Sequence, residues 1–329
     1  MDKRQLLAVA FGILVAALLP FIADWLGQPE LQSLAARIMI YAIAAASLNL
    51  ILGYGGMVSF GHAAFFGLGN YVVGILYVHH AEDVPLFGFI PGTDQLLITL
   101  PAAMIVSGLA AALIGALALR TGGVQFIMIT LAFAQMLFFF FVSLNGYGGE
   151  DGIIVRRANS LFGLSLRDKM AMYYVILVVM VLYFVWLWRV VHSSFGAVLS
   201  GIRQNERRMV ALGIEPQSTE LKAFVLAGMG AGLAGALMAV FLRFASPDTL
   251  AWTKSGELMV MVILGGVGTF FGPIWGAAAF LILQSYLAGW TEHWQLFLGL
   301  VLLAVVMGTK GGITGLWTYL RTHLRRRLA

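Results

Sequence analysis

The sequence predicts an all-α, polytopic membrane bundle of about eight to ten spans, and three observations carry that prediction. The residues are 60% hydrophobic and only 11% charged, where an ordinary soluble chain carries about 25% charged residues. Mean hydropathy is +0.91, and apolar runs of roughly 20 residues, enough to cross a ~30 Å hydrocarbon core, recur along the chain. No alternating strand pattern with aromatic girdles is present, and only helices or closed barrels satisfy their backbone in lipid.

The apolar runs fall at 6–26, 34–52, 62–78, 97–119, 124–144, 171–191, 220–242, 256–270, 272–288 and 295–309. The first, within "MDKRQLLAVAFGILVAALLPFIADW", has the look of a signal peptide but no small-residue cleavage site, so it reads as a retained span. The eighth and ninth are short and broken by "GGVGTFFGP", Gly265 to Pro273. Ten full spans, or eight plus a re-entrant pair at that break, both give an even number of crossings. Lys3 and Arg4 at one end, and Arg321, Arg325, Arg326 and Arg327 at the other, require this if both termini are cytoplasmic. The loop after the third run, "HHAEDVPLFGFIPGTDQ", has no Lys or Arg and falls outside; residues 192–219, with Arg203, Arg207 and Arg208, fall inside. The stretch 145–170 falls outside yet carries Arg156, Arg157, Arg167 and Lys169, partly offset by Glu150, Asp151 and Asp168. It departs from the positive-inside rule.

Several chemistries are unsupported. Cysteine is absent, which leaves no disulfide or thiolate site. The six histidines show no metal-ligand spacing, and His79-His80 reads as a solvated pair. The net charge of +5 is concentrated at chain ends and in one loop, so it reports membrane topology and not nucleic acid. "GTKGGITG", from Gly308, has the wrong order for a phosphate-cradling loop. No metal, cofactor or catalytic constellation is expected. Among ionisable residues inside the spans, Glu257 is the main candidate, near the outer end of its run.

Glycine is the positive signal, at 39 of 329 residues. Gly228 and Gly232 stand at GxxxG spacing in "AGMGAGLAGAL", with Ala231 and Gly235 close by, which lets helix backbones approach closely. Static packing and sliding surfaces are both compatible with that pattern. Two segments resemble each other: "ILGYGGMVSFGHAAFFGLG" from Ile51 and "ILGGVGTFFGPIWGAAAF" from Ile263. Gly-interrupted segments at matching places in two halves point to a transporter's binding region, although glycine-rich membrane sequences also resemble one another by chance.

"SSFGAVLSGIRQNERRMVALGI", Ser193 to Ile214, is the one long polar stretch of helical period. Phe195, Val198, Leu199, Ile202, Met209 and Leu212 fall near one face, Gly213 suits a C-terminal stop, and Pro216 follows. An interfacial helix on lipid and a helix docked in a cytoplasmic partner both fit.

"SFGAVLSGIRQNERRMVALGIEPQSTELKAFVLAGMGAGLAGAL" resembles the cytoplasmic loop and following helix of permeases in ATP-binding-cassette importers of the branched-chain amino acid type. "SLNLILGYGGMVSFGHAAFFGLGNY", "FIMITLAFAQM", "YGGEDGI" and "GGVGTFFGPIWGA" match the same family in the same order, from about residue 38 to 310. The pattern is similar to the M-type permease, the usual partner of an H-type permease. The resemblance implies a single permease domain over 1–329, with 192–219 as its ATPase-coupling loop, in the bacterial inner membrane. It also implies a second homologous permease, two cytoplasmic ATPase subunits, a periplasmic substrate-binding protein and surrounding membrane lipid as partners. Coupling would then fall to Phe195, Gly196, Ile202, Arg203, Asn205, Glu206, Arg208 and Gly213. "RRMV" stands where the family has a small, acidic run, so the partner's cleft is expected to be more acidic.

Relatives with these blocks carry branched-chain, other hydrophobic or aromatic amino acids, urea or short amides; a gradient-driven carrier is the competing class. Uncharged polar residues offer a zwitterion partners at low desolvation cost. The pathway candidates are Asn49, Ser59, His62, Asn70, Thr130, Gln135, Glu257 and Gln284, with Gly55, Gly56, Gly265, Gly266 and Gly268 at the broken-helix ends. Interhelical hydrogen bonding is the structural alternative for each, and His62, at a helix start, reads as a cap.

Overall fold

The computed structural model describes residues 3–86, 88, 91–156, 160–161, 164–166, 168–290, 293–308 and 311–315. Arg157, Arg167 and the arginines from Arg321 onward lie outside the described residues. In chain order the elements are α1 (Lys3–Trp25), α2 (Pro29–Asn49), α3 (His62–Ala81), α4 (Leu96–Ala118) and α5 (Val124–Ser143). Then come strands β1 (Ile153–Ile154), β2 (Ser160–Leu161) and β3 (Leu164–Ser165), followed by α6 (Lys169–Val191), α7 (Ser194–Gln204), α8 (Glu206–Ala211) and α9 (Pro216–Leu242). The chain continues through β4 (Phe244–Ala245), α10 (Trp252–Gly265), α11 (Gly272–Trp290) and α12 (Trp294–Gly308). A helix thus stands at each of the ten apolar runs. Among the described residues, five runs, Pro29–Tyr54, Leu96–Ala118, Val124–Ser143, Lys169–Val191 and Pro216–Leu242, are long and apolar enough to cross a membrane.

α9 is the axis of the bundle, packed against α2, α3 and α4. Its small-residue stripe is a contact surface. A Cβ at Gly235 would collide with the Phe66 carbonyl, one at Gly232 with Ser107, and one at Gly228 with Ala111. The apolar attraction that drives helices together in water is absent in lipid, so this backbone-to-backbone packing supplies the cohesion. Residues 223–240 of α9 are accordingly almost all buried, whereas α4 and α5 turn one face outward through Leu109, Leu113, Met128 and Phe139.

α1 packs against α2 and α6. Pro20 lacks an N–H, which leaves the Ala16 carbonyl without its helical donor. The Tyr173 hydroxyl donates to that carbonyl at 2.7 Å and Tyr174 donates to Ala17 at 3.0 Å, joining α1 to α6. His79 is not simply solvated: its ring contacts the Val84 carbonyl and the Tyr147 hydroxyl, each at 2.8 Å.

The chain between α9 and α10 differs most from a plain span. β4 pairs antiparallel with β1, and the chain then descends along α3. Ala245 lies by Gly74, Leu250 by Gly67, and Ser255 accepts a bond from the Ala63 N–H at 2.8 Å. Eleven residues of α3 correspond to about 16 Å of descent. α10, with 14 residues, starts partway along α3 and ends at the opposite rim. This crossing is therefore part extended chain and part helix. Glu257, expected near a span's outer end, stands inside on α10 and is paired with Lys254 at 2.8 Å.

Packing around Gly235 leaves no room for a side chain. Gly235→Val is expected to lower the stability of the purified protein by roughly 1–3 kcal/mol, in the overpacking range, read as a lower thermal midpoint. Gly256→Ala, which enters open space, is expected to leave the midpoint unchanged or slightly raised.

Candidate functional site

The polar stretch between α6 and α9 folds as two helices and not one. Asn205 leaves the helical region (φ −162°, ψ 94°), and its side chain accepts the Arg208 N–H at 3.0 Å, capping α8. At the other end of α8, Gly213 adopts φ +80°. The Ile214 N–H reaches the Met209 carbonyl at 3.1 Å, so the predicted C-terminal stop is present. Gly196, Leu199 and Ile202 of α7 are buried and Phe195 is half-buried. A Cβ at Gly196 would strike the Val191 backbone. The break at Asn205 turns α8 away from this packing face. Leu212, expected on the same face, is 70% exposed, and Val210, Glu206, Arg207 and Arg208 are exposed with it.

Beneath α7 lie both glycine-rich segments. α2 continues through a π-helical turn, Leu50–Tyr54, and breaks, after which the chain runs irregularly to α3. α10 ends at Gly265, and Gly266 (φ +117°) and Gly268 (φ +78°) turn the chain toward α11. Two helix ends therefore meet with backbone groups in need of partners. The Asn49 amide supplies them: its Oδ1 accepts the Gly268 N–H at 2.9 Å and its Nδ2 donates to the Thr269 carbonyl at 2.9 Å. The approach leaves no space, since a Cβ on Gly53 would lie 2.6 Å from the Gly268 nitrogen.

Arg203 joins α7 to this pair. Its guanidinium donates to the Gly53 carbonyl, and its stem passes so near Gly56 that a Cβ there would lie 3.0 Å from Cγ. Gly53, Tyr54, Ser200, Arg203, Gln204 and Gly268 line a cavity of about 410 Å³. From the other side Thr314 donates to the Gly265 carbonyl at 2.9 Å.

Asn49, Gly55, Gly56, Gly265, Gly266, Gly268 and Arg203 thus form one cluster. Ser59 and His62 belong to a second, deeper group. Ser59 accepts the Gly61 N–H at 3.2 Å, and the His62 ring meets Ser47 Oγ at 2.7 Å. Because the Ser47 hydroxyl donates to the Ala44 carbonyl, His62 Nε2 is the donor and Nδ1 is left without a described partner. His62 is therefore not the cap of α3; that work falls to Ser59 and Ser255. Thr130 accepts the Phe60 N–H at 3.3 Å. Asn70 reaches the Gly235 carbonyl at 3.4 Å. Gln135 and Gln284 are half-buried on α5 and α11, away from both groups. Lys254 escaped the sequence reading; its i, i+3 spacing to Glu257 was the available signal.

A profile described as the branched-chain amino acid transport system permease component matches residues 30–306. The chain belongs to that permease family. It is similar to the high-affinity branched-chain amino acid transport system permease protein LivM of Escherichia coli, with 26% identity over 94% of this chain and 75% of the relative. The Salmonella typhimurium protein of the same name is 25% identical over the same shares. A probable branched-chain amino acid transport permease protein LivM of Methanocaldococcus jannaschii is 23% identical over 75% of this chain and 78% of the relative. No solved structure matches the chain. Family membership accords with the all-α bundle and with a transport role.

Asn49→Ala is expected to leave the Gly268 N–H and the Thr269 carbonyl unpaired, at a cost of about 1–3 kcal/mol per buried group. Hydrogen exchange at 266–271 is expected to accelerate while exchange within α9 stays unchanged.

Proposed function

We propose that this permease is the membrane subunit of an ATP-driven importer for branched-chain or other hydrophobic amino acids in a bacterial inner membrane. In this reading it pairs with a second, homologous permease and carries two cytoplasmic ATPase subunits, and a periplasmic binding protein delivers the substrate. The α7–α8 loop and both termini are cytoplasmic, and the β1–β4 end faces outward. The observation that carries the reading is the Arg203 contact: a loop helix is tied to one broken helix, which Asn49 ties to the other.

The two halves of the loop divide the work. α8 presents an unpartnered surface of Glu206, Arg207, Arg208, Val210 and Leu212, of the mixed apolar and charged kind that seats a helix in a partner's groove. α7 faces inward through Gly196, Leu199 and Ile202 and acts as a rigid foot. When the ATPase subunits close, the loop shifts as a unit, Arg203 draws on Gly53, and the Asn49 bridge passes the displacement to Gly266–Gly268. Segments with positive φ and no Cβ rearrange without steric penalty, so the inner gate is assigned to these breaks. Ser59, His62, Asn70, Gln135 and Glu257 are assigned to the helices that border the path. Substrate affinity resides chiefly in the binding protein, consistent with the few polar groups free to hold a zwitterion.

Complexes reconstituted in proteoliposomes test this. Arg203→Ala is expected to retain co-purifying ATPase subunits and ATP hydrolysis while uptake falls about tenfold to a hundredfold, matching the ~1.5–3 kcal/mol of a hydrogen bond to a charged group. A paired Arg207→Ala and Leu212→Ala change is expected instead to reduce ATPase-subunit pull-down. Uptake by the purified chain alone, driven by an ion gradient, would overturn the assignment.

A further inference from the structure

At the end of the bundle opposite α7, the first turns of α2 and α6 and the last turn of α9 enclose a cavity of about 500 Å³. We propose that this cavity binds the phosphate of an anionic phospholipid headgroup. Arg37, Lys169 and Arg243 line it, together with Gln32, and no carboxylate is among its lining residues. Asp168, next to Lys169, is engaged in capping α6 through the Met170 N–H at 3.2 Å. Lys169 is the first residue of α6, where the helix's own partial positive charge opposes a cation. The first turn of α2 on the facing wall carries Glu30, which is not among the lining residues. Positive charge thus converges from the start of α6 and the side chains of Arg37 and Lys169, and an anion is the complementary ligand.

Gln32 makes the cavity a built site. The residue is only 7% exposed, and its Nε2 has no acceptor among the described residues. A buried amide donor that lines a cavity calls for an acceptor there. Arg243 holds a left-handed backbone conformation at φ +55°, which β-carbon-bearing residues adopt rarely; this directs the chain at the cavity rim.

Position selects the ligand's source. From Ser33 to Gly53 along α2 is 20 residues, or about 30 Å, which is one hydrocarbon thickness. With Gly53 at one rim, the cavity lies at headgroup depth on the other. Its lining also includes Met172, Val240 and Phe241, apolar surface suited to the glycerol and first methylenes of a lipid and useless to a free ion. Lys169 belongs to the basic stretch that departs from the positive-inside rule, and a headgroup ligand at this end accounts for its retention.

The test uses the full chain in a neutral detergent, with thermal midpoints measured after adding phosphatidylglycerol, phosphatidylcholine or inorganic phosphate. Phosphatidylglycerol is expected to raise the midpoint by more than about 2 °C and phosphatidylcholine is not. The shift is expected to vanish in the double variant Arg37→Gln, Lys169→Gln. Protection by millimolar inorganic phosphate, lost in the same variant, would support the site with phosphate as the sufficient group. Gln32→Leu keeps the charges and the volume; its lipid-free midpoint is expected to hold or rise while the phosphatidylglycerol shift shrinks, and it carries the test if the double variant does not fold. Equal shifts with both lipids, or a phosphatidylglycerol shift unchanged in Gln32→Leu, would overturn the proposal.

Discussion

Two broken helices meet at one rim of this bundle, and the Asn49 amide satisfies the backbone groups their meeting exposes. In lipid an unpaired N–H or carbonyl finds no water, so a break in a spanning helix survives only where protein groups take over. Asn is suited to this because its side chain presents one acceptor and one donor side by side, as a peptide unit does. With Oδ1 on the Gly268 N–H and Nδ2 on the Thr269 carbonyl, it imitates a strand neighbour. The close approach of Gly53 to Gly268, the reach of Arg203 to the Gly53 carbonyl and the cavity beneath α7 all depend on that junction.

The rest of the fold supports this junction in two ways. α9 is the fixed part, with Gly228, Gly232 and Gly235 set against the backbones of α3 and α4. The extended descent from Ala245 to Leu250 along α3 adds a crossing that is helical only in part, and Ser255 closes it by taking the Ala63 N–H. Around the breaks, single side chains, Asn49, Arg203, Thr269 and Thr314, add hydrogen bonds to close backbone contacts between Gly53 and Gly268 and between Gly265 and Gly272. The coupling proposed above assigns movement to these breaks and the fixed role to α9.

Much of this was legible in the sequence. Each predicted span carries a helix because an apolar run in lipid pairs its backbone most fully within itself; at α10 only part of the crossing does so. The GxxxG face of α9 and the stop at Gly213 also stand where residue chemistry placed them, since both depend on glycine's missing Cβ and act over a few residues. The likeness between the segments at Ile51 and Ile263 indicated two breaks, although it could not indicate that they touch. The loop helix was read as continuous because apolar spacing carries across Asn205, and the spacing gives no sign that a capping side chain will end one helix and start another.

The sequence by itself determined the solvent this chain lives in, the positions of its ten apolar helices and the glycine breaks that end α2 and α10. These follow from hydropathy and backbone pairing, which are properties of adjacent residues. Tertiary structure alone decided that Asn49 pairs across 219 positions with Gly268, that Arg203 faces the membrane domain, and that Arg37, Lys169 and Arg243 share one cavity. Such choices depend on which helices become neighbours. In a bundle held by close backbone contact, that is settled by the shape of whole surfaces and not by any single segment.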